Sequence, residues 1–322
     1  MKRSYFIKKV FQALLTIAAI LVFNYFLFRI MPGDPLQSLM RNPKATPEAI
    51  EGLKKLYGLN YPWYVQFEIY IKNLFSGNLG MSFLYKQPVY EVIGSRVLPT
   101  VLMVGLAEIL ATIVGIVLGI LAAARRGKAV DVASLSFSLI TYSMPTFWLG
   151  IILVSIFSVS LQLLPTTGLL TAGQSYSSTM SMLVDGIKHL ILPTLTMSLV
   201  LIGEYTLLMR NTLIDVLTED YITTAYAKGF NEDYVIKKHA VPNAMLPMIT
   251  IIAMNTGFVI GGAIQVETIF SWPGIGRLMY DALTARDYPL LQGIFLMITF
   301  AVIIANLLAD FTYGYLDPRV KQ

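Results

Sequence analysis

Apolar residues along this chain gather into long runs instead of alternating with polar ones. Ala13–Phe28 and Leu290–Leu308 are broken only by isolated polar side chains. A run of about 20 such residues matches the hydrocarbon thickness of a bilayer. A surface helix of a soluble protein keeps a charged face, and these runs have none. Six stretches read this way: Val10–Arg29, Thr100–Ala123, Ser134–Leu161, Leu190–Leu208, Met245–Gln265 and Leu290–Tyr313. The pattern predicts an all-α, polytopic membrane protein with six transmembrane helices and a small extracytoplasmic subdomain.

Composition agrees with that picture. Of 322 residues, 56% are hydrophobic and 13% charged, against roughly a quarter charged in soluble domains. Cysteine is absent, which excludes disulfides, thiolate catalysis and Cys-ligated metals. Charge sets the orientation. Lys2, Arg3, Lys8, Lys9, Arg125, Arg126, Lys128, Arg210, Lys228, Lys237, Lys238, Arg319 and Lys321 all fall on one side of the predicted spans. The loop Pro165–Ile187 has no Lys or Arg, and Val266–Pro289 has only Arg277 and Arg286. Both termini are therefore expected in the cytoplasm. The first apolar run continues to Phe28 and meets Arg29-Ile30-Met31-Pro32 with no small-x-small cleavage site, so it reads as an uncleaved span.

Three regions follow. Residues 1–31 hold the N-terminus and first span, residues 32–99 the extracytoplasmic subdomain, and residues 100–322 a five-helix core with a cytoplasmic loop at 210–243. The basic residues of segment 32–99 do not upset the orientation, because segments longer than about 60 residues cross largely regardless of charge. Within it Pro43–Tyr57 is expected to be helical, with Thr46 as N-cap before Pro47.

The loop Asp220–Pro242 reads as two short helices around a break. Thr218 is placed to cap the first, with Glu219 and Asp220 in its first turn. Gly229 supplies the left-handed exit, and Asn231 caps the second. Glu232 and Asp233 stand at that helix's positive end, Lys237, Lys238 and His239 at its negative end, and Pro242 is expected to stop it. The arrangement suits a plain connector, and equally a docking element for a cytoplasmic partner.

Glu108, Glu204 and Asp310 lie inside predicted spans. A mid-bilayer charge costs about 2.5–3.5 kcal/mol on insertion scales, so such acids face protein or water. Glu204, beside Tyr205, fits either a helix pair or a cavity that receives a peptide amino terminus. Asn255 in span five, with Thr256, Gly257 and Gly261-Gly262, fits close helix packing or a translocation path. So do Thr141 and Ser143, just before Pro145, which is expected to kink span three. Trp272-Pro273-Gly274 forms a tight turn on the outer face, suited to contact with an outer protein or to the headgroup level.

The loop also carries a family likeness. Thr224-Ala225-Tyr226-Ala227-Lys228-Gly229 resembles the peptide-permease form of the cytoplasmic motif of permease subunits in bacterial ATP-binding-cassette importers. In that motif Glu-Ala-Ala is followed by Gly and later by Ile-x-Leu-Pro. Here Thr223-Thr224-Ala225 replace Glu-Ala-Ala, His239 and Val241 replace Ile and Leu, and Pro242 keeps the proline place. Met31-Pro32-Gly33-Asp34-Pro35, Tyr57-Gly58-Leu59-Asn60, Gly77-Asn78-Leu79-Gly80, Met144–Gly150, Glu267–Gly276 and Leu316–Val320 extend the likeness, in order, along the chain. The long segment after span one is similar to the B-type subunit of dipeptide and oligopeptide importers.

The resemblance implies ATP-driven import of short peptides across the bacterial inner membrane, with nickel chelate or glutathione as alternative cargo. It implies a second permease subunit, two cytoplasmic ATPases and an extracytoplasmic solute-binding protein as partners, in membrane lipid and without nucleic acid. It assigns ATPase coupling to Thr223, Thr224, Ala225, Lys228, Gly229, Phe230, Asn231, Glu232 and Pro242. It gives this chain no catalytic residue, metal or cofactor; ATP and Mg belong to the ATPases. The sequence agrees, since Gly274-Ile275-Gly276-Arg277 is not a phosphate loop and no other candidate occurs. An intramembrane hydrolase would need a nucleophile–base pair at depth, yet His189 and His239 fall at span ends. A passive channel is the other alternative, separated from a pump by ATP dependence of flux.

Overall fold

The computed structural model describes residues 3–30, 61–261 and 263–316, all helices and connecting turns. The expected helix Pro43–Tyr57, the Met31–Pro35 run and the Asp310 side chain lie outside the described residues. In chain order the helices are α1 (Arg3–Ile30), α2 (Trp63–Phe75), α3 (Val89–Ala124), α4 (Ala129–Ser143) and α5 (Thr146–Leu153), which runs on as a π turn Val154–Ser160. Then come α6 (Thr179–Leu217), α7 (Asp220–Ala227), α8 (Glu232–Val235), a π turn Ile236–Ala240, α9 (Val241–Phe258), α10 (Ile264–Ile269), α11 (Ile275–Ala285) and α12 (Tyr288–Leu316).

Among the described residues, four helices are long and apolar enough to cross a bilayer: Lys9–Leu27 of α1, Val89–Ala124, Thr179–Leu217 and Tyr288–Leu307 of α12. The pair α4–α5, bent by 104°, is long and apolar enough for a fifth only when its two helices are taken together. The bend falls at Met144–Pro145, where proline lacks the N–H that would continue the helix. The remaining expected span coincides with α9. Its 18 residues reach about 27 Å.

Two helices run past their expected limits. Helix α3 starts at Val89, not Thr100, with Pro99 inside it. Helix α6 covers 39 residues with Pro193 inside it, or about 58 Å, well beyond a hydrocarbon core of about 30 Å. Both prolines are held by packing: Pro193 is buried, and the Pro99 carbonyl accepts a hydrogen bond from Trp272 Nε1 at 3.0 Å.

Helix α6 is the centre of the bundle, pressed between α3 and α4. A Cβ added at Gly115 would lie 2.6 Å from Tyr205 Cβ, and one at Gly119 2.6 Å from Met209 Cβ and 2.9 Å from the Thr206 carbonyl. On its other side Gly203 meets α4: an added Cβ would stand 2.6 Å from Thr141 Oγ1 and 2.7 Å from the Ser138 carbonyl. Small residues let helix backbones approach where lipid offers no hydrophobic drive for association. Helix α1 lies against α12, where Asn24 donates to the Gln292 carbonyl at 3.2 Å.

The end of the bundle where Arg125, Arg126, Lys128 and Lys237 gather is here called the basic end. At the far end, Asp287 is fully buried. It accepts from Ser82 Oγ at 2.5 Å and Leu84 N at 2.9 Å, and it caps α12 through Leu290 N at 3.2 Å. That carboxylate fastens the turn before α3 to the start of the last helix.

The glycine contact gives a direct test. Gly119→Leu should destabilise the detergent-solubilised protein by about 1–3 kcal/mol, as overpacked cores are. Gly105→Ala, where an added Cβ meets nothing within 4 Å, should leave the thermal midpoint unchanged. Equal midpoints for the two variants would contradict a tight α3–α6 contact.

Candidate functional site

The loop at the basic end is half buried, half presented. Helix α7 tucks Ile222 and Ala225 into the core formed by Met209 and Leu213 of α6 and Val235 of α8. Thr223, Thr224, Lys228, Gly229, Phe230, Asn231 and Glu232 are exposed. Gly229 has φ +82°, with open space where a Cβ would project, and its N–H donates to the Tyr226 carbonyl at 2.9 Å. This is the left-handed helix exit that glycine accepts without strain. Asn231 Oδ1 accepts from Tyr234 N at 2.9 Å and caps α8, with Glu232 and Asp233 in its first turn.

Two local expectations need correction. Thr218 closes α6 and does not open α7: its hydroxyl donates to the Asp215 carbonyl at 2.7 Å, and the N-cap of α7 is Glu219. Nor does Pro242 stop the second helix. The chain passes through the π turn Ile236–Ala240, where Val241 N donates to the Ile236 carbonyl. Proline then sits in the first turn of α9, where its missing N–H is no loss.

The structure groups Phe230, already among the expected coupling residues, with the aromatic ring of Tyr234, which the motif did not single out. Tyr226, Phe230 and Tyr234 are 41–44% exposed. The Phe230 and Tyr234 rings lie 4.8 Å apart, with the His239 ring 5.9 and 5.8 Å away. The spacing of four between Phe230 and Tyr234 was legible in the sequence, but the helix break at Gly229 hid that their rings meet. Exposed aromatic clusters of this kind mark protein contacts.

Within the bundle, Tyr205 is fully buried and donates to Glu108 Oε1. Asn255 Nδ2 donates to Tyr205 Oη at 2.9 Å, so one chain of hydrogen bonds joins α3, α6 and α9. Thr141 is buried, donates to the Phe137 carbonyl at 3.0 Å, and faces Gly203. Glu204 is half-buried one residue before Tyr205, and Ser143 is exposed at the α4–α5 break.

At the far end, Glu267 organises the turn between α10 and α11. It has no exposed surface. Oε1 accepts from Thr100 Oγ1 at 2.9 Å and Oε2 from Arg277 N at 2.9 Å, while Thr100 Oγ1 accepts from Ile275 N at 2.8 Å. A Cβ at Gly274 would overlap this carboxylate, and one at Gly276 would lie 2.7 Å from Ile264 N. Burial pushes the Glu267 carboxyl above the usual carboxylate range, with the hydrogen bonds from Arg277 N–H and Thr100 pulling the other way. Trp272 is 1% exposed and Gly274 is buried, with Pro273 partly exposed. The turn thus keeps its Trp inside.

Long apolar helices packed on one central helix, with a capped loop and an aromatic patch at one end, define a polytopic helical membrane protein. Residues 115–322 match the family of binding-protein-dependent transport system inner membrane components, and residues 1–105 match the N-terminal region of such membrane components. The chain belongs to this family. It is 36% identical over 318 residues to the glutathione transport system permease protein GsiC of Escherichia coli O6:H1, covering 99% of both chains. It is 36% identical over 313 residues to the dipeptide transport system permease protein DppB of Alkalihalophilus pseudofirmus, covering 93% of this chain and 94% of that one. Its fold matches an inward-facing structure of the MetNI methionine ABC transporter with a TM-score of 0.53 at 14% identity, over 70% of this chain and 96% of the other.

The Glu267 cradle predicts a graded series. Gly274→Ala should lower the thermal midpoint, since the added Cβ would displace the Glu267 carboxylate from its hydrogen bonds with Thr100 Oγ1 and Arg277 N. Glu267→Gln, which keeps one acceptor oxygen, should lower the thermal midpoint less than Glu267→Ala, which leaves buried donors unpaired at about 1–3 kcal/mol each. The reverse order, read by thermal scanning of the solubilised protein, would contradict the role given to the carboxylate.

Proposed function

We propose that this chain is one of two permease subunits of an importer that takes up short peptides, glutathione among them, driven by separate cytoplasmic ATPases and fed by an extracytoplasmic binding protein. The names of its relatives support the cargo class. The positive-inside rule supports reading the basic end as the cytoplasmic face, with both termini inside. The chain has no phosphate loop, so nucleotide binding falls to the partner chains.

One observation carries the coupling role. The exposed loop Asp220–Asn231 shares a single core with the long helices, through Ile222, Ala225, Val235, Met209 and Leu213. A push on Thr223, Thr224, Lys228, Phe230 or Glu232 by a closing ATPase pair would move α6, not merely bend a connector. Gly229 and Asn231 fix the loop's shape, and Pro242 starts the helix that returns through the bundle. Glu204 and Ser143 are the residues offered to cargo: Glu204 would meet a peptide amino terminus. Thr141 and Asn255 act on the path through the helices they brace. Trp272, Pro273 and Gly274 support the outer docking face by holding its turn in shape.

Gly229→Asp tests this. A side chain at positive φ costs roughly 1 kcal/mol, and no atom lies in its way, so the protein should reach the membrane at near-normal amounts. Uptake by the assembled importer should be lost, with ATPases released or hydrolysis no longer stimulated by cargo. Lys228→Ala, removing an exposed charge, should be milder. Normal uptake with Gly229→Asp would overturn the docking role.

A further inference from the structure

We propose that the Asp131–Arg210 pair is a positioning element that makes α4 travel with the loop-bearing end of α6. Arg210 Nε lies 2.5 Å from Asp131 Oδ1 and Nη2 lies 2.9 Å from Oδ2. Oδ2 also accepts from Gly127 N at 2.8 Å, so both oxygens are engaged. Asp131 is 4% exposed. A forked, two-point pair fixes orientation as well as distance, which a lysine point charge does not.

The location gives the pair its consequence. Arg210 stands on α6 between Met209 and Leu213, which hold Ile222 and Ala225 of α7. Asp131 stands in the first turn of α4, and the buried positions Ser134, Ser138 and Thr141 continue along the same face. Ser138 and Thr141 meet Gly203, so α4 touches α6 at a smooth contact in mid-bundle and at a charged fork at the basic end. A contact of small side chains can slide, whereas a buried fork cannot without stranding a charge. Beyond the break at Pro145, α5 carries Gly150 against Phe270 and Ile269 of α10, next to the Glu267 cradle. A displacement entering at α7 thus has a route along α4 and, across the Met144–Pro145 break, through α5 to the turn at the far end. The inference rests on the docking of α7 proposed above.

The test uses the complete importer with its ATPases, with spin labels at Ser136→Cys on α4 and Asp215→Cys on α6. Both positions are exposed and the chain has no native cysteine. The distance between labels is measured without nucleotide and after trapping with ATP and vanadate. With the native pair the distance should be unchanged by trapping. With Asp131→Asn it should shift on trapping by the order of one helical turn, about 5 Å. The exchanged pair, Asp131→Arg with Arg210→Asp, should bring the invariant distance back. A merely stabilising pair would lower the thermal midpoint in Asp131→Asn yet leave the distance insensitive to trapping, and that result overturns the proposal. So does a shift in the protein with the native pair. Normal uptake by Gly229→Asp would remove the docking reading itself, and this inference with it.

Discussion

The close approach of α3 and α6 is the constraint on which the molecule depends. In a bilayer, lipid tails are as apolar as leucine, so helices associate through packing and polar contacts. Gly115 and Gly119 let α3 settle against Tyr205, Thr206 and Met209, and Gly203 repeats the device toward α4. Without these three positions α6 could not be shared by two neighbours. With them it becomes a beam of about 58 Å, long enough to carry a loop clear of the membrane while its middle stays buried.

Around that beam buried carboxylates fix the ends of the bundle. Asp131, Glu267 and Asp287 are each buried and each surrounded by donors from a second element: Arg210, Thr100 with Arg277, and Ser82 with Leu84. A buried carboxylate left without such donors would be costly, and each therefore specifies one register of its neighbours. Two of these fastenings stand at the far end and one at the basic end, so both faces are shaped while the middle relies on steric fit and on the Glu108–Tyr205–Asn255 chain.

Much of this was legible in the sequence. The apolar runs located the long helices, Pro145 located the bend, and the loop motif located Gly229 and the Asn231 cap. What stayed hidden has physical causes. Pro99 read as a boundary because local propensity disfavours proline in a helix, but packing around it overrides that preference. Thr218 read as an opening cap because its hydroxyl can serve either helix end, and only the geometry shows it bonded back to Asp215. Glu108, Asp131 and Glu267 could be recognised as acids in or beside apolar stretches, but their partners lie 97, 79 and 167 residues away. No local pattern announces such pairs. Trp272 looked like an outward contact, while its partner, the Pro99 carbonyl, belongs to a different helix.

Contact between the aromatic-edged loop at the basic end and an ATPase is tested by placing a photo-reactive amino acid at Phe230 and irradiating intact cells that express the full importer. A cross-linked species containing this chain and an ATP-binding subunit is expected, and it should be lost when the same photo-reactive residue is placed at Leu163, exposed beyond the far end of the bent pair. Cross-links from Phe230 only to lipid or to this chain itself, with the ATPases present in the complex, would contradict it.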